Sequence, residues 1–225
     1  MTGIKKISSG CRCLDGVLGG GFEAGTVTQI FGEPGSGKTN ICLQLAVECV
    51  KSGKKVIFID TEGFSIERFR QIAGKDADRI SKNIIIYEPE NFAAQFAAIK
   101  EIEKLIKENV ALILFDSATF FYRYELDGEN EIELKRDLAR QVSSLLNIAR
   151  KHEVAVVITN QIYTDIDHDA IRPLGGSMIE HISKVTVQLD KTADGRRRAT
   201  LRKHRSMPEG ASCEFLLTGD GVRDG

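Results

Sequence analysis

The chain has 225 residues, 42% hydrophobic and 28% charged, with a formal net charge of -1, an ordinary globular composition with apolar residues enough for a sizeable core. That balance excludes a chain that is basic as a whole, so any nucleic-acid contact must come from a local patch. No apolar run reaches the roughly 18–20 residues that cross a bilayer, and Met1 to Ser9 lacks a signal peptide's apolar stretch, which predicts a cytoplasmic protein with no membrane partner.

In chain order, Cys11-Arg12-Cys13 comes first. It suggests a metal site, but no second Cys or His pair follows at zinc-finger spacing, so these thiols read as structural. Thr26 to Phe31 predicts a strand, then a glycine-rich turn and a helix from about Lys38 to Ser52 that carries Cys42 and Cys49 as small buried residues. Lys55 to Asp60 is a short buried strand, about Ile66 to Ala73 a helix, and Asn83 to Tyr87 another strand. Phe92, Phe96, Ile99, Ile102 and Ile106 recur at helical spacing and predict a helix over Asn91 to Glu108. Ala111 to Asp116 is a central strand, Glu131 to His152 a second long helix, and Val154 to Thr159 a further buried strand. Strands alternating with helices predict an α/β fold with a mostly parallel central sheet and flanking helices. The last third differs. Lys184 to Asp190 alternates apolar and polar residues, Ala193-Asp194-Gly195 turns, and Ala199 to Arg202 returns, which predicts antiparallel C-terminal strands closing the sheet. Cys213 falls in a strand-like run with Glu214 and Phe215. With no repeat and no linker, one domain over 1–225 is expected.

Gly32-Glu33-Pro34-Gly35-Ser36-Gly37-Lys38-Thr39 matches the phosphate-binding pattern G-x-x-x-x-G-K-[ST] in full. Its glycines let successive N–H groups turn toward phosphate oxygens, and the helix that follows adds its positive end. Lys38 is expected to reach the β- and γ-phosphates of ATP and Thr39 to coordinate Mg²⁺, with Asn40 next in line for the nucleotide. An incidental glycine-rich turn is the bland alternative, and the strand-turn-helix context argues against it. Asp116 ends an apolar strand, where a carboxylate can hold the magnesium's water shell. Glu62, at the end of the strand after the P-loop helix, emerges on the same sheet edge and is the candidate to orient the attacking water; a solvated loop acid is the alternative.

With these pieces placed, the chain resembles the RecA/RadA recombinase family, most closely its short archaeal paralogues. The carriers are Ile7-Ser8-Ser9-Gly10, Leu14-Asp15, Gly19-Gly20-Gly21, the P-loop, Ile59-Asp60-Thr61-Glu62-Gly63, Asp116-Ser117-Ala118-Thr119, Val156 to Gln161, Gly175-Gly176 and Pro208-Glu209-Gly210. The resemblance implies a RecA-like P-loop NTPase core with Glu62 as catalytic glutamate, Arg68 stacking on adenine, and Gln161 sensing the γ-phosphate. It also implies two DNA-binding loops, after Asp116 and after Gln161.

In the first loop Tyr122-Arg123-Tyr124 offers a cation flanked by aromatics, suited to single-stranded DNA, with Arg123 and Tyr124 as contacts. Tyrosines packed on the loop's base are the alternative. The second loop, Tyr163 to Arg172, carries Asp165, Asp167 and Asp169 against His168 and Arg172, and carboxylates repel a phosphate backbone. DNA binding weaker than a full recombinase's is therefore expected. Basic residues cluster instead at Arg196, Arg197, Arg198, Arg202, Lys203, His204 and Arg205, either as a charged edge hairpin or with a sharper role. Lys203-His204-Arg205 resembles the K-x-R element that several RecA-superfamily ATPases insert into a neighbour's nucleotide. Strand alternation would point Lys203 and Arg205 the same way, as trans-acting groups of a homo-oligomer. In the RadA branch an acid stands at the Lys203 position.

The family's recombinases carry an N-terminal helical DNA-binding domain and a linker aromatic that anchors the next protomer, and this chain begins at the ATPase core. The reading is an ATP- and DNA-binding accessory of recombination and repair with slow, DNA-dependent hydrolysis, assisting a RadA-type recombinase or a repair nuclease. The alternatives are a nucleotide-gated adaptor with little turnover and a RecA-superfamily ATPase outside recombination.

Overall fold

The computed structural model describes residues 5–106, 109–126, 130–165 and 170–225. Short elements open the chain: β1 (Lys6–Ile7), α1 (Arg12–Val17) and β2 (Phe22–Glu23). Then β3 (Val27–Gly32) runs into α2 (Lys38–Lys51), and β4 (Lys55–Asp60) is followed by α3 (Ile66–Ala73) and α4 (Ala77–Ser81). The middle of the chain holds β5 (Ile84–Tyr87), α5 (Phe92–Leu105), β6 (Val110–Asp116), α6 (Phe120–Glu125), α7 (Glu131–His152) and β7 (Ala155–Asn160). A hairpin, β8 (Ile162–Asp165) and β9 (Ala170–Pro173), precedes α8 (Gly176–Ile182). Four strands end the chain: β10 (Val185–Lys191), β11 (Arg197–Lys203), β12 (Ser212–Thr218) and β13 (Gly221–Asp224).

Among the described residues nine strands form one sheet in the order β13-β12-β11-β10-β3-β7-β6-β4-β5. From β10 to β5 neighbours are parallel, and from β10 to β13 they are antiparallel. The parallel strands are near-continuous apolar runs because helices cover both faces. On one face α1, α2, α3 and α4 pack over Ile30, Val56, Phe58, Leu112, Leu114 and Val157. On the other, α5, α6, α7 and α8 cover Val27, Ile57, Ile59, Ile113, Phe115 and Ile158. Ser65 accepts from the Arg68 N–H and Asn91 from the Ala94 N–H, so α3 and α5 begin at side-chain caps. No helix among the described residues is long and apolar enough to cross a membrane.

Four expectations need correction. The helix expected to reach Glu108 ends at Leu105, and Glu108 lies outside the described residues. Phe96 is only half-buried, with the Lys100 ammonium 4.3 Å from its ring centre, while Gln95 and Ala98 take the buried face. β10 is no simple antiparallel strand. Five successive buried residues suit its place between parallel β3 and antiparallel β11, where both faces are covered. The segment after Asp116 is a helix, α6, and the one after Gln161 is the β8–β9 hairpin. Asp167, His168 and Asp169 lie outside the described residues.

Candidate nucleotide site

β3, β4, β6 and β7 end at one edge of the sheet and deliver Gly32, Asp60, Asp116 and Asn160 there, as parallel strands must. Gly32 sits where β3 runs tight against β10: a Cβ would run into the Leu189 carbonyl oxygen. Gly35 and Gly37 take φ of +75° and +107°, a left-handed region that side chains disfavour. The loop is therefore shaped by backbone that only glycine adopts freely, and α2 starts directly behind it at Lys38. The Lys38 ammonium donates to the carbonyls of Gly32 (2.8 Å) and Glu33 (3.0 Å). Burial lowers its pKa, and the charges of Asp116 and Glu62 oppose that. Ser36 Oγ is buried with no hydrogen-bond partner. An ammonium resting on its own loop carbonyls and an orphaned hydroxyl inside a glycine cradle fit a triphosphate's oxygens.

Asp116 is buried, which pushes its carboxyl up, while hydrogen bonds from Thr159 and Thr39 favour the charged form. Asp60, its register partner on β4, is pushed up to about 6 by burial and then by the Asp116 charge, and accepts from Gly63 N–H at 3.0 Å. Thr39 and two adjacent carboxylates make an oxygen-rich donor set that suits Mg²⁺. Glu62 stands exposed beside them, accepting from Ser117 Oγ (2.7 Å) and from Gln161 Nε2 (3.3 Å). The other end of that amide, Gln161 Oε1, faces Arg123 Nη1 at 3.5 Å.

Arg68 lies beside the start of α2. Its Nε donates to Asn40 Oδ1 (2.5 Å), and Nη2 and Nη1 donate to the carbonyls of Thr218 (2.8 Å) and Gly219 (3.1 Å). Contacts along its edge thus hold the guanidinium in one plane.

A Rad51 family profile matches residues 2–225. The chain belongs to the Rad51 family. "DNA repair and recombination protein RadB" of Methanococcoides burtonii is 58% identical over 220 residues, spanning 97% of this chain and 98% of that protein. The RadB of Archaeoglobus fulgidus is 48% identical, spanning 96% and 97%. A solved RadB recombinase structure superposes with a TM-score of 0.85 at 35% identity, over 97% of this chain and 99% of that one. The fold is accordingly the RecA-like core that the resemblance implied, and ATP chemistry is a property of that family.

The expected DNA contacts separate. Arg123 and Tyr124 are exposed on α6, and the Tyr124 ring leans on Phe120, 5.0 Å between centres. Tyr122 is core, because residues two apart on a helix face different sides. Arg172 is paired with Asp165 across the hairpin at 2.6 Å, so part of the expected acidity is neutralised within it.

The basic C-terminal run splits as well. β11 crosses the sheet, bringing Arg197 to the P-loop edge, where its Nε donates to the Gly35 carbonyl at 3.1 Å. Lys203, six residues on, ends at the opposite edge and donates to the Glu180 carbonyl at 2.5 Å. The strand stops at Lys203, so alternation does not orient Arg205. His204 Nδ1 accepts from the N–H groups of Ser206 and Met207 and braces the bend. Sequence reasoning missed Arg197 and Asp60 as site groups: Asp60 lay in a quoted motif, but Arg197 needed the register of β10 with β11. It also missed that Cys11 and Cys13 converge, across some two hundred residues, on Asp224, with Cys213 beside Cys13.

Proposed function

We propose that this chain is an ATP-dependent, DNA-binding accessory protein of recombination and repair, acting in the archaeal cytoplasm beside a RadA-type recombinase or a repair nuclease, with slow DNA-dependent hydrolysis. The observation that carries this reading is the continuous path Glu62–Gln161–Arg123, from the nucleotide edge to the exposed α6 face. Bound Mg-ATP would supply a transferable γ-phosphoryl group with its charge offset by the cation. Gly32, Glu33, Pro34, Gly35, Ser36 and Gly37 wrap the phosphates, Lys38 leaves its loop carbonyls to offset their charge, and Thr39 and Asp116 hold the cation. Asn40 fixes Arg68 against the adenine. Glu62 orients and deprotonates the attacking water, and the proton it takes leaves to solvent from its exposed carboxyl. Gln161 is the switch: its amide can keep or lose the Glu62 bond, and Arg123 registers the change on the DNA side.

The pairing of Arg172 with Asp165 favours a nucleotide-gated adaptor as the second reading, since it withdraws a cation from any DNA contact. ATP hydrolysis with and without single-stranded DNA, titrated over protein concentration, separates the two. DNA-stimulated turnover abolished in both Glu62→Gln and Lys38→Ala supports the first. Turnover at the level of these variants, with tight ATP binding lost only in Lys38→Ala, supports the adaptor.

A further inference from the structure

Five cysteines divide into two kinds. Cys42 and Cys49 face the apolar core from α2, as small buried residues do. The other three gather at the start of α1 and on β12. Cys11 Sγ and Cys13 Sγ lie 3.4 Å apart, the Cys13 thiol donates to the Glu214 carbonyl at 3.2 Å, and Cys213 stands beside Cys13. Asp224 Oδ1 accepts from Cys11 Sγ at 3.4 Å and from the Cys13 N–H at 2.8 Å. The ligand atoms of Cys11, Cys13 and Asp224 all fall within 4.8 Å of one another, and Cys213 lies outside that set of three, on the Cys13 side.

We propose that Cys11, Cys13, Cys213 and Asp224 bind a thiophilic divalent cation of the zinc class, in a site that pins α1 to the last two strands.

The spacing fits. A tetrahedral zinc with sulfur at about 2.3 Å and oxygen at about 2.0–2.2 Å has S–S edges of about 3.8 Å and S–O edges of about 3.5 Å. The two observed edges, Cys11–Cys13 and Cys11–Asp224, are both 3.4 Å and need open by only a few tenths of an ångström, while Cys213 closes in from beside Cys13 to complete the set. The donor set of three sulfurs and one oxygen selects a soft or borderline cation over magnesium. The carboxylate is already oriented, because the Cys13 N–H donates to one oxygen and Arg12 Nε holds the other at 2.9 Å. Arg12 also offsets the negative charge that three thiolates and a carboxylate leave around a dication. Cys13, Cys213 and Asp224 are half-buried, so a path from solvent exists. Uptake of the cation displaces three thiol protons to solvent, and no oxidant is involved. The site is four-coordinate and closed, hence structural: it ties the chain's beginning to its end beside α2, where Gln44 already joins Ser9 to Val222.

The test is a titration of Co²⁺ into the reduced, metal-stripped full chain, read by the sulfur-to-cobalt charge-transfer absorption and the visible bands of tetrahedral cobalt. An oxygen-lined magnesium site produces no such sulfur band. The expected result is one equivalent bound, displaced by Zn²⁺, with about a third of the charge-transfer intensity lost in Cys213→Ser and Zn²⁺ affinity about 10- to 100-fold weaker in Asp224→Asn. Far-ultraviolet circular dichroism checks that both variants fold, and Asp224→Asn leaves all three sulfurs in place should Cys213→Ser fail to fold. No sulfur band at one equivalent, or a band unchanged in folded Cys213→Ser, overturns the proposal.

Discussion

The Gln161 side-chain amide donates to the Glu62 carboxylate at 3.3 Å, and its carbonyl end faces Arg123 at 3.5 Å. One planar group therefore spans the end of β7 and connects the nucleotide edge to α6. Because an amide's two ends are rigidly linked, rotation that breaks one contact alters the other. Replacing Gln161 with Ala is expected to bring the ratio of turnover with DNA to turnover without it close to one. Retention of the full ratio in that variant would sink the switch.

Lys38 donates only to carbonyls of its own loop among the hydrogen bonds found for it, so these bonds are exchanged when phosphate oxygens arrive. A hydrogen bond to a charged group contributes about 1.5–3 kcal/mol. Lys38→Ala should weaken ATP binding by about 10- to 100-fold, measurable by isothermal titration. Glu62→Gln should bind ATP normally and lose about 10²- to 10⁴-fold in turnover, the range for a positioned general base.

Lys203 and Arg197 are separated along β11 by about 20 Å at the usual strand rise, and only Arg197 reaches the protein's own P-loop. If Lys203 acts on a nucleotide, it acts on a neighbour's. Two inactive variants, Glu62→Gln and Lys203→Ala, should then recover activity when mixed in equal amounts, to about a quarter of the wild-type rate for head-to-tail contacts. A mixture as inactive as its components rules out the trans role.

Asp60 is held near 6 by burial and by Asp116, above its ordinary value of 3.8. The folded state therefore binds its proton more tightly than the unfolded state, and this group's contribution makes stability fall as pH rises from about 4 to about 6. Asp60→Asn removes that cost. Without nucleotide or divalent cation it should raise Tm at pH 7 by a few degrees, about 2 kcal/mol, with the gap closing below about pH 4. A gap that persists at pH 4 would mean the gain has another origin.

Gly175 caps α8 at φ +93°, and a Cβ there would meet Ile179 and, at 3.0 Å, Leu138. Strain and overpacking together predict a loss of about 2–4 kcal/mol for Gly175→Ala, seen as a lower denaturation midpoint. Gly176 has open space at its Cβ position, with Lys135 at 4.0 Å, and pays mainly for its φ of +73°. Gly176→Ala should cost less than half as much.

The sequence by itself determined the features encoded within a few consecutive residues. The P-loop with Lys38 and Thr39, the apolar runs of β4, β6 and β7, the bounds of α3 and α7, and the strand-end positions of Glu62, Asp116 and Gln161 could all be read directly, because period, caps and turns are local physics. The tertiary structure decided everything that depends on which strands become neighbours. Register between β10 and β11 sent Arg197 to the P-loop and Lys203 to the far edge. Packing against α7 buried Tyr122 but left Arg123 and Tyr124 outside, and antiparallel closure of β12 and β13 brought Cys213 and Asp224 to Cys11 and Cys13. Those contacts join residues as much as two hundred positions apart, and their pairing is selected by burial of the whole sheet, which no local pattern records.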